Sequence, residues 1–153
     1  METSDIILQR LQTLESKTRQ RRVRRPAVRQ VGSGIFFFED TAVTVSSGSA
    51  VFTWATFDAA SYISPVAKGV IMQTTIVFQD PASDVTHNVE IRRDASCPTL
   101  IGCRLRTGAN ENHAVGHQGF YPVTETKQFD YQLTTSTAEN PDSYTIELIG
   151  YYE

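Results

Sequence analysis

The chain has 153 residues, of which 40% are hydrophobic and 20% are charged, and this balance excludes a chain that is disordered throughout. Its formal charge of −3 is unevenly distributed, because residues 1–30 carry eight basic and three acidic side chains, a net charge of +5, which leaves −8 for residues 31–153. A basic segment attached to an acidic body predicts that the segment binds a partner.

A short helix is predicted over residues 4–18, where Ser4 or Asp5 can cap the first turn. Its apolar side chains follow at steps of four and three, the spacing of a coiled-coil seam. The seam consists of Ile7, Leu11 and Leu14, continued by Thr18. Because two heptads are marginal in isolation, the seam is expected to pack on sister helices, on another protein or on its own domain.

An arginine-rich arm is predicted to follow the helix. Pro26 prevents continuation of the helix, and the sequence VGSG over residues 31–34 supplies flexibility, so residues 19–34 are expected to be extended. The arginines of the arm are Arg19, Arg21, Arg22, Arg24, Arg25 and Arg29. We therefore predict two regions: residues 1–34 as helix, arm and linker, and residues 35–153 as a folded domain.

From residue 35 onwards, apolar residues recur with period two, which is typical of β-strands with one buried face. The predicted strands lie in residues 35–38, 50–57, 69–78, 86–93, 99–106, 127–133 and 143–152, with turn-forming residues between them. About eight strands without a helical period between them predict a mainly β fold, a jelly-roll-like β-sandwich.

Two of the predicted strands are apolar on both faces. Strict alternation places Trp54 opposite Ala55 in one strand, and it places Ile149 and Tyr151 opposite Leu148 in the last strand. A sandwich strand has one core face, so the second face needs cover from a loop or from another subunit. Because aromatic residues are enriched at interface cores, we predict a subunit interface that includes Trp54, Ile149 and Tyr151.

The sequence contains no recognised catalytic motif: it has no phosphate-binding glycine loop, no G-x-S-x-G and no H-E-x-x-H. His113 and His117 would lie about 13 Å apart in a strand, too far for one metal ion. Asp80 and Asp84 flank a turn but bring no further calcium ligands. We therefore expect no enzymatic activity, no metal ion and no cofactor.

Cysteine content and hydropathy bear on the cellular compartment in which the protein is expected to occur. The two cysteines, Cys97 and Cys103, are expected to be reduced thiols rather than a bridge across six residues. No apolar run approaches the ~20 residues of a membrane span, and the N-terminal residues lack the apolar core of a secretory signal. We expect a protein that is made and used without export and without contact with a membrane.

The arginine-rich arm has three possible roles. It binds nucleic acid through phosphates, it binds an acidic protein surface, or it is a solvated tail without a partner. The arm lacks the interleaved aromatic residues of proteins that bind single-stranded nucleic acid. The apolar seam before the arm also suits a protein better than phosphate. We therefore favour a protein surface and do not expect nucleic acid to be the partner.

Two stretches of the domain, residues 54–73 (WATFDAASYISPVAKGVIMQ) and 144–153 (YTIELIGYYE), carry a resemblance. They resemble the trimeric jelly rolls of tailed-bacteriophage virion proteins, which serve as capsid cement or decoration proteins and as fibre tips. Tumour-necrosis-factor-like trimers share this architecture. The resemblance covers residues 35–153 in pattern and implies no catalytic residues.

The resemblance implies a homotrimer on the capsid surface of a virion that is assembled in the host cytoplasm. The helix seam and the arginines of the arm would anchor each copy to the major capsid protein. Two other functions remain open. One is a small-virus coat protein whose arm binds RNA, and the other is a carbohydrate-binding head or tail fibre tip with sugar stacked on aromatic residues near GHQGFYPV, residues 116–123.

Overall fold

The structure, a computed structural model, describes residues 27–31 and 34–153. The predicted helix with its apolar seam and the arginines from Arg10 to Arg25 lie outside the described residues. Within them the fold is all β, and no helix there is long and apolar enough to cross a membrane. The nine strands are β1 (Ala27–Val31), β2 (Gly34–Gly48), β3 (Phe52–Asp58), β4 (Gly69–Phe78), β5 (Val85–Arg92), β6 (Leu100–Thr107), β7 (His113–Pro122), β8 (Gln128–Thr135) and β9 (Ser143–Tyr152).

The strands form two sheets that pack face to face. Sheet 1 has the order β1-β2-β9-β4-β7, and sheet 2 has the order β3-β8-β5-β6. All paired strands are antiparallel. Neighbours in sequence alternate between the sheets over most of the chain, so both sheets contribute to one core. The predicted mainly β fold with a sandwich architecture is confirmed, with nine strands in the described residues where about eight were expected.

The core lies between the sheets and is built from alternate residues of each strand, as the period of a strand requires. In β5, Val85, His87, Val89 and Ile91 are buried while the residues that alternate with them are partly exposed. Removing this apolar surface from water stabilises the fold at about 25 cal/mol per Å². The largest side chains with almost no exposure are Phe129, Met72, Ile76, Ile91, Leu133, Ile146 and Leu148.

β1 is a strand that the period-two pattern did not predict. Residues 27–31 were assigned to the extended arm, and in the structure they pair with β2, with Ala27 opposite Phe38 and Val31 opposite Gly34. The backbone of Arg29, one of the arm arginines, is thereby part of sheet 1, opposite Phe36. Independent folding of residues 35–153 stays a prediction.

A β-bulge in β3 changes which residues of that strand face the core. The register with β8 shifts between Phe52 and Ala55, so that both residues, together with Phe57, pack against the core. Trp54 remains on the outer face. Strict alternation, which placed Phe52 and Trp54 on the same face, is therefore wrong here because the extra residue of the bulge inverts the pattern.

A second bulge does the same in β9. Leu148 pairs with Met72 and Gly150 pairs with Ile71, so Ile149 is the extra residue. Tyr151 consequently shares the core face with Leu148; it is 9% exposed and its ring is stacked on that of a β2 residue, Phe37, at 4.8 Å. The prediction that Tyr151 lies opposite Leu148 is corrected by this shift in register.

Candidate interaction surfaces

An aromatic cluster covers one end of the outer face of sheet 1. The ring centroid of Phe36 lies 5.2 Å from that of Phe120 and 6.2 Å from that of Tyr152, and the rings of Phe120 and Tyr152 are 6.2 Å apart. The rings are tilted or edge-to-face, as packed aromatic side chains usually are. We call these three residues the aromatic patch.

The pairing of four strands assembles the patch. Tyr152 in β9 pairs with Phe36 in β2 on one side and with Gly69 in β4 on the other, and Phe120 in β7 pairs with Ile71 in the next row. Gly69 leaves room for the tyrosine, because a Cβ at that position would collide with the Tyr152 ring. The cluster therefore depends on strand order as well as on residue type.

The aromatic patch covers a side chain that does not belong to the core. Ile71 faces outward from sheet 1 and is absent from the core cluster, yet it is 2% exposed. Phe120, in contrast, is 56% exposed and is the most exposed aromatic residue among the described large apolar side chains. An exposed aromatic group on a packed apolar base is typical of an interaction site.

Beside the aromatic patch, the outer face of sheet 1 is polar but carries little charge. The amide Nε2 of Gln118 donates to Oε1 of Gln73 at 2.9 Å, and both line a shallow groove with Gly116 and His117. The outward positions of β4, β7 and β9 include a single charged side chain, Glu147, which pairs in register with Gln73. The part of the outer face that these three strands form therefore presents mainly apolar and uncharged polar groups.

The outer face of sheet 2 is charged. Nε of Arg92 lies 3.1 Å from Oδ2 of Asp130, and its guanidinium carbon lies 3.8 Å from the ring centroid of Trp54. The hydroxyl of Thr56 donates to the same carboxylate at 2.7 Å. Trp54 thus has its cover within the chain, from a cation–π contact with Arg92. The edge strand β6 of the same sheet also exposes Arg104 and Arg106.

β7 is an edge strand of sheet 1 whose free side faces β6 of sheet 2: the Cys103 thiol donates to the carbonyl oxygen of Val115 at 3.8 Å, and residues 101–104 and 115–117 line a groove between the two strands. It pairs with β4 over ten consecutive residues without a bulge, and no described strand pairs with its other side. Its sequence, HAVGHQGFYP, contains no Lys, Arg, Asp or Glu. The other edges are protected: β1 is short, β3 and β6 are interrupted by register shifts, and β6 carries two arginines. Open edges are templates for intermolecular pairing, and on β7 the neighbouring strand β6 gives partial cover.

The three residues predicted for the subunit interface do not form one surface. Trp54 lies on the outer face of sheet 2, Tyr151 lies in the core, and Ile149 sits half-buried on the bulge of β9. Of the aromatic patch, the sequence pointed only to Phe120, through the stretch GHQGFYPV. The signal was incomplete because the partners of Phe120 come from strands that are distant in sequence.

The histidines and cysteines occupy different environments in the fold. His113 and His117 lie in β7 and are exposed, and no group of three or more metal-ligating side chains occurs among the described residues. His87 is fully buried, with Nε2 at 3.0 Å from the carbonyl oxygen of Glu139. Both thiols are free, and burial raises the pKa of the Cys103 thiol, which disfavours the reactive thiolate.

The carboxylates near the β4–β5 turn hold loops together. Oδ1 of Asp84 accepts a hydrogen bond from the backbone N–H of Ala109 at 3.2 Å, which links this turn to the β6–β7 loop. The backbone N–H of Asp80 donates to Oδ1 of Asn112 at 2.8 Å. The carboxylate of Asp84 thus orders the two loops, and Asp80 contributes to the same link through its backbone.

Comparisons with known proteins give weak similarity to a few solved structures. No protein family and no curated protein matches the chain. A family 22 carbohydrate-binding module of Clostridium thermocellum is 14% identical over 84% of this chain and 87% of that one, with a TM-score of 0.39. A xylan-binding domain from Paenibacillus barcinonensis is 9% identical over 86% of each chain (TM-score 0.37). A chain of the infectious bursal disease virus VP2 subviral particle is 13% identical over 84% of this chain and 32% of that one (TM-score 0.31).

Proposed function

We propose that the protein is a structural virion protein that decorates a capsid as a homotrimer and is anchored to the major capsid protein by its N-terminal arm. The observation that supports this most is the strand order. Strands β2-β9-β4-β7 facing β3-β8-β5-β6, with β1 as an added edge, follow the order of an eight-stranded jelly roll. Jelly rolls are a recurrent architecture of viral capsid domains.

The distribution of charge supports anchoring through the arm. The described residues carry 14 acidic and seven basic side chains, whereas five arginines fall within residues 19–25. Arginine binds carboxylates through paired, charge-assisted hydrogen bonds. An anionic domain is repelled by nucleic acid, so the arm alone would have to supply all affinity for RNA or DNA. An acidic surface on a coat protein is therefore the better partner.

Trimerisation would make weak contacts of each arm sufficient for attachment to the capsid. Each exposed ion pair contributes only ~0.2–1 kcal/mol, but three arms on one trimer bind with the advantage of a high effective concentration. The Arg92–Asp130 and Arg93–Asp94 ion pairs are contacts within the domain. We accordingly propose a binding role, located on a virion, and no enzymatic one.

The test is attachment to capsids emptied of nucleic acid, taken from the virus that encodes the protein. Changing Arg19, Arg21, Arg22, Arg24 and Arg25 to alanine is expected to abolish saturable binding while the oligomer stays intact. Arg104→Ala with Arg106→Ala is the control, because it removes exposed positive charge from the domain and leaves the arm unchanged.

The same proteins are compared for binding to free DNA and RNA at equal ionic strength, since salt weakens both kinds of contact. We expect only weak, sequence-independent binding to nucleic acid. Tight binding to RNA together with no binding to empty shells would contradict the proposal and favour a small-virus coat protein.

A further inference from the structure

We propose that the aromatic patch, together with the two glutamines beside it, is a binding site for a neutral polysaccharide. The glutamines are Gln73 and Gln118, and we call them the amide row. The ligand is a chain of pyranose sugars, which have an apolar C–H face that packs on aromatic rings and hydroxyl groups at the rim that form hydrogen bonds. The inference goes beyond capsid decoration and does not depend on what the arm binds.

The aromatic patch supplies the surface for the apolar face of a sugar. Phe120 is 56% exposed, and its ring packs against those of Phe36 and Tyr152 beside the buried side chain of Ile71. These contacts hold the Phe120 ring in place before a ligand arrives, so stacking a sugar on it costs little side-chain freedom. Small-molecule sites typically combine such aromatic surfaces with a few fixed polar groups.

The amide row supplies fixed polar groups at the distance of one sugar ring. Gln118 lies two residues before Phe120 in β7 and on the same side of sheet 1, which separates the two by about 6.6 Å. Nε2 of Gln118 donates to Oε1 of Gln73 at 2.9 Å, and this hydrogen bond orients both amides. Each amide has two N–H donors and an oxygen with two lone pairs, so donors and acceptors remain for the hydroxyls of a ligand.

The groove at the amide row is open along the sheet. Gly116, the next outward residue of β7, has no side chain, and a Cβ there would lie 3.8 Å from the nearest atoms. Its partner in β4 is Thr75, which adds a hydroxyl group to the same face. A ligand stacked on Phe120 can therefore continue past Gln118 to Gly116, which favours a polymer of sugars over a single one.

The size of the aromatic patch favours a sugar over a protein partner. Each side of a stable protein interface contributes about 800 Å², whereas an aromatic side chain buries about 150–250 Å² when it is fully covered. Phe36 and Tyr152 are already partly buried by their neighbours. The three rings together therefore offer less area than a protein contact requires, but enough for the face of one or two sugars.

Charge favours a neutral ligand over nucleic acid. The described residues carry 14 acidic and seven basic side chains, so the domain repels a polyanion. A neutral sugar is not repelled by this excess. It is equally compatible with the charged residues that β1 and β2 bring to sheet 1, which are Arg29, Glu39 and Asp40.

The test is the migration of the full-length protein in native gels that contain mixed-linkage β-glucan, xyloglucan, galactomannan or dextran, which are neutral and soluble. We expect at least one of them to retard the wild-type protein. Phe120→Leu keeps an apolar side chain but removes the ring, and it is expected to bind at least tenfold more weakly, whereas Phe120→Tyr keeps the ring and should bind like the wild type. Gln118→Ala is expected to bind at least threefold more weakly. Val66→Gln is the control and should bind normally, because Val66 is 66% exposed and lies in the β3–β4 loop.

A circular dichroism melt of each variant verifies its fold. Unchanged migration of the wild-type protein in all four polysaccharides would overturn the proposal. Normal binding by Phe120→Leu or by Gln118→Ala would also overturn it, because the site would then lie elsewhere. Dissociation of an oligomer in Phe120→Leu, seen by sedimentation velocity, would instead assign the patch to a contact between copies. The alanine changes in the arm should leave the retardation unchanged, so a failure of capsid attachment is read separately.

Discussion

Two buried threonines illustrate how single hydroxyl groups contribute to this fold. Thr74 is 1% exposed, and its hydroxyl donates to the carbonyl oxygen of Gly102 at 3.1 Å, which ties sheet 1 to the edge strand β6 of sheet 2. Thr107 is fully buried, and its hydroxyl has no hydrogen-bond partner. Leaving a buried polar group unpaired costs ~1–3 kcal/mol. The same side chain therefore stabilises one site and destabilises the other.

We expect Thr107→Val to raise the free energy of unfolding by about 1 kcal/mol and Thr74→Val to lower it by about 1–2 kcal/mol. Both changes exchange a hydroxyl for a methyl group of similar size, so each serves as the control for the other. Urea unfolding at a fixed protein concentration measures the difference. A loss of stability in Thr107→Val equal to that in Thr74→Val would contradict the hydrogen-bond assignment.

Among the elements, the bulge of β9 depends on a close approach to β2. A Cβ added at Gly150 would collide with the carbonyl oxygen of Phe37 and would lie 3.1 Å from Cα of Phe38. Gly150→Ala would push the two strands apart, and we expect it to lower the free energy of unfolding by about 1–3 kcal/mol, the usual cost of overpacking. Gly116→Ala is the control, because its Cβ would lie 3.8 Å from the nearest atoms. Equal stabilities of the two variants would refute this account.

The sequence predicted the elements better than their pairing. Alternation in residues 85–92 and 128–135 was sufficient because each strand there runs without a bulge across its buried face. Bulges leave no mark in a pattern of apolar and polar residues, so Phe52 and Tyr151 were assigned to the wrong side. β1 escaped prediction because five residues beside an arginine-rich stretch carry too short a pattern. The aromatic patch required the order of four strands, which local alternation does not determine.

For the molecule as a whole, tyrosines with raised pKa values make the free energy of unfolding fall at high pH. Burial raises the pKa of Tyr121 to about 12, and burial also raises the pKa values of Tyr131, Tyr151 and Tyr152. A tyrosine in the unfolded chain has a pKa of about 10. The folded state holds the tyrosine proton more tightly than the unfolded chain does. The resulting stabilisation is complete below pH ~10 and is lost as the pH rises towards ~12.

Tyr121→Phe removes the tyrosine whose pKa is raised to about 12. Between pH 8 and pH 11, we expect this variant to lose about 1 kcal/mol less of its free energy of unfolding than the wild-type protein loses. Tyr62→Phe is the control, since Tyr62 is 44% exposed, and it should match the wild type. Urea unfolding at the two pH values provides the measurement. An alkaline loss in Tyr121→Phe as large as that of the wild type would rule out Tyr121 as its source.

The two bulges have an evolutionary consequence. Each is equivalent to a one-residue insertion that is absorbed locally, so the residues beyond it keep the pairing and the side of the sheet that a regular strand would give them. Without Ile149, Leu148 would still lie opposite Met72, Gly150 opposite Ile71 and Tyr151 opposite Val70, so Tyr151 would stay on the inner side of the sheet. Lineages that differ by one residue at these points would therefore keep both their core and their exterior. The same deletion in a regular strand would invert every side chain beyond it, so the bulges mark the positions at which the strands of this fold tolerate a change in length.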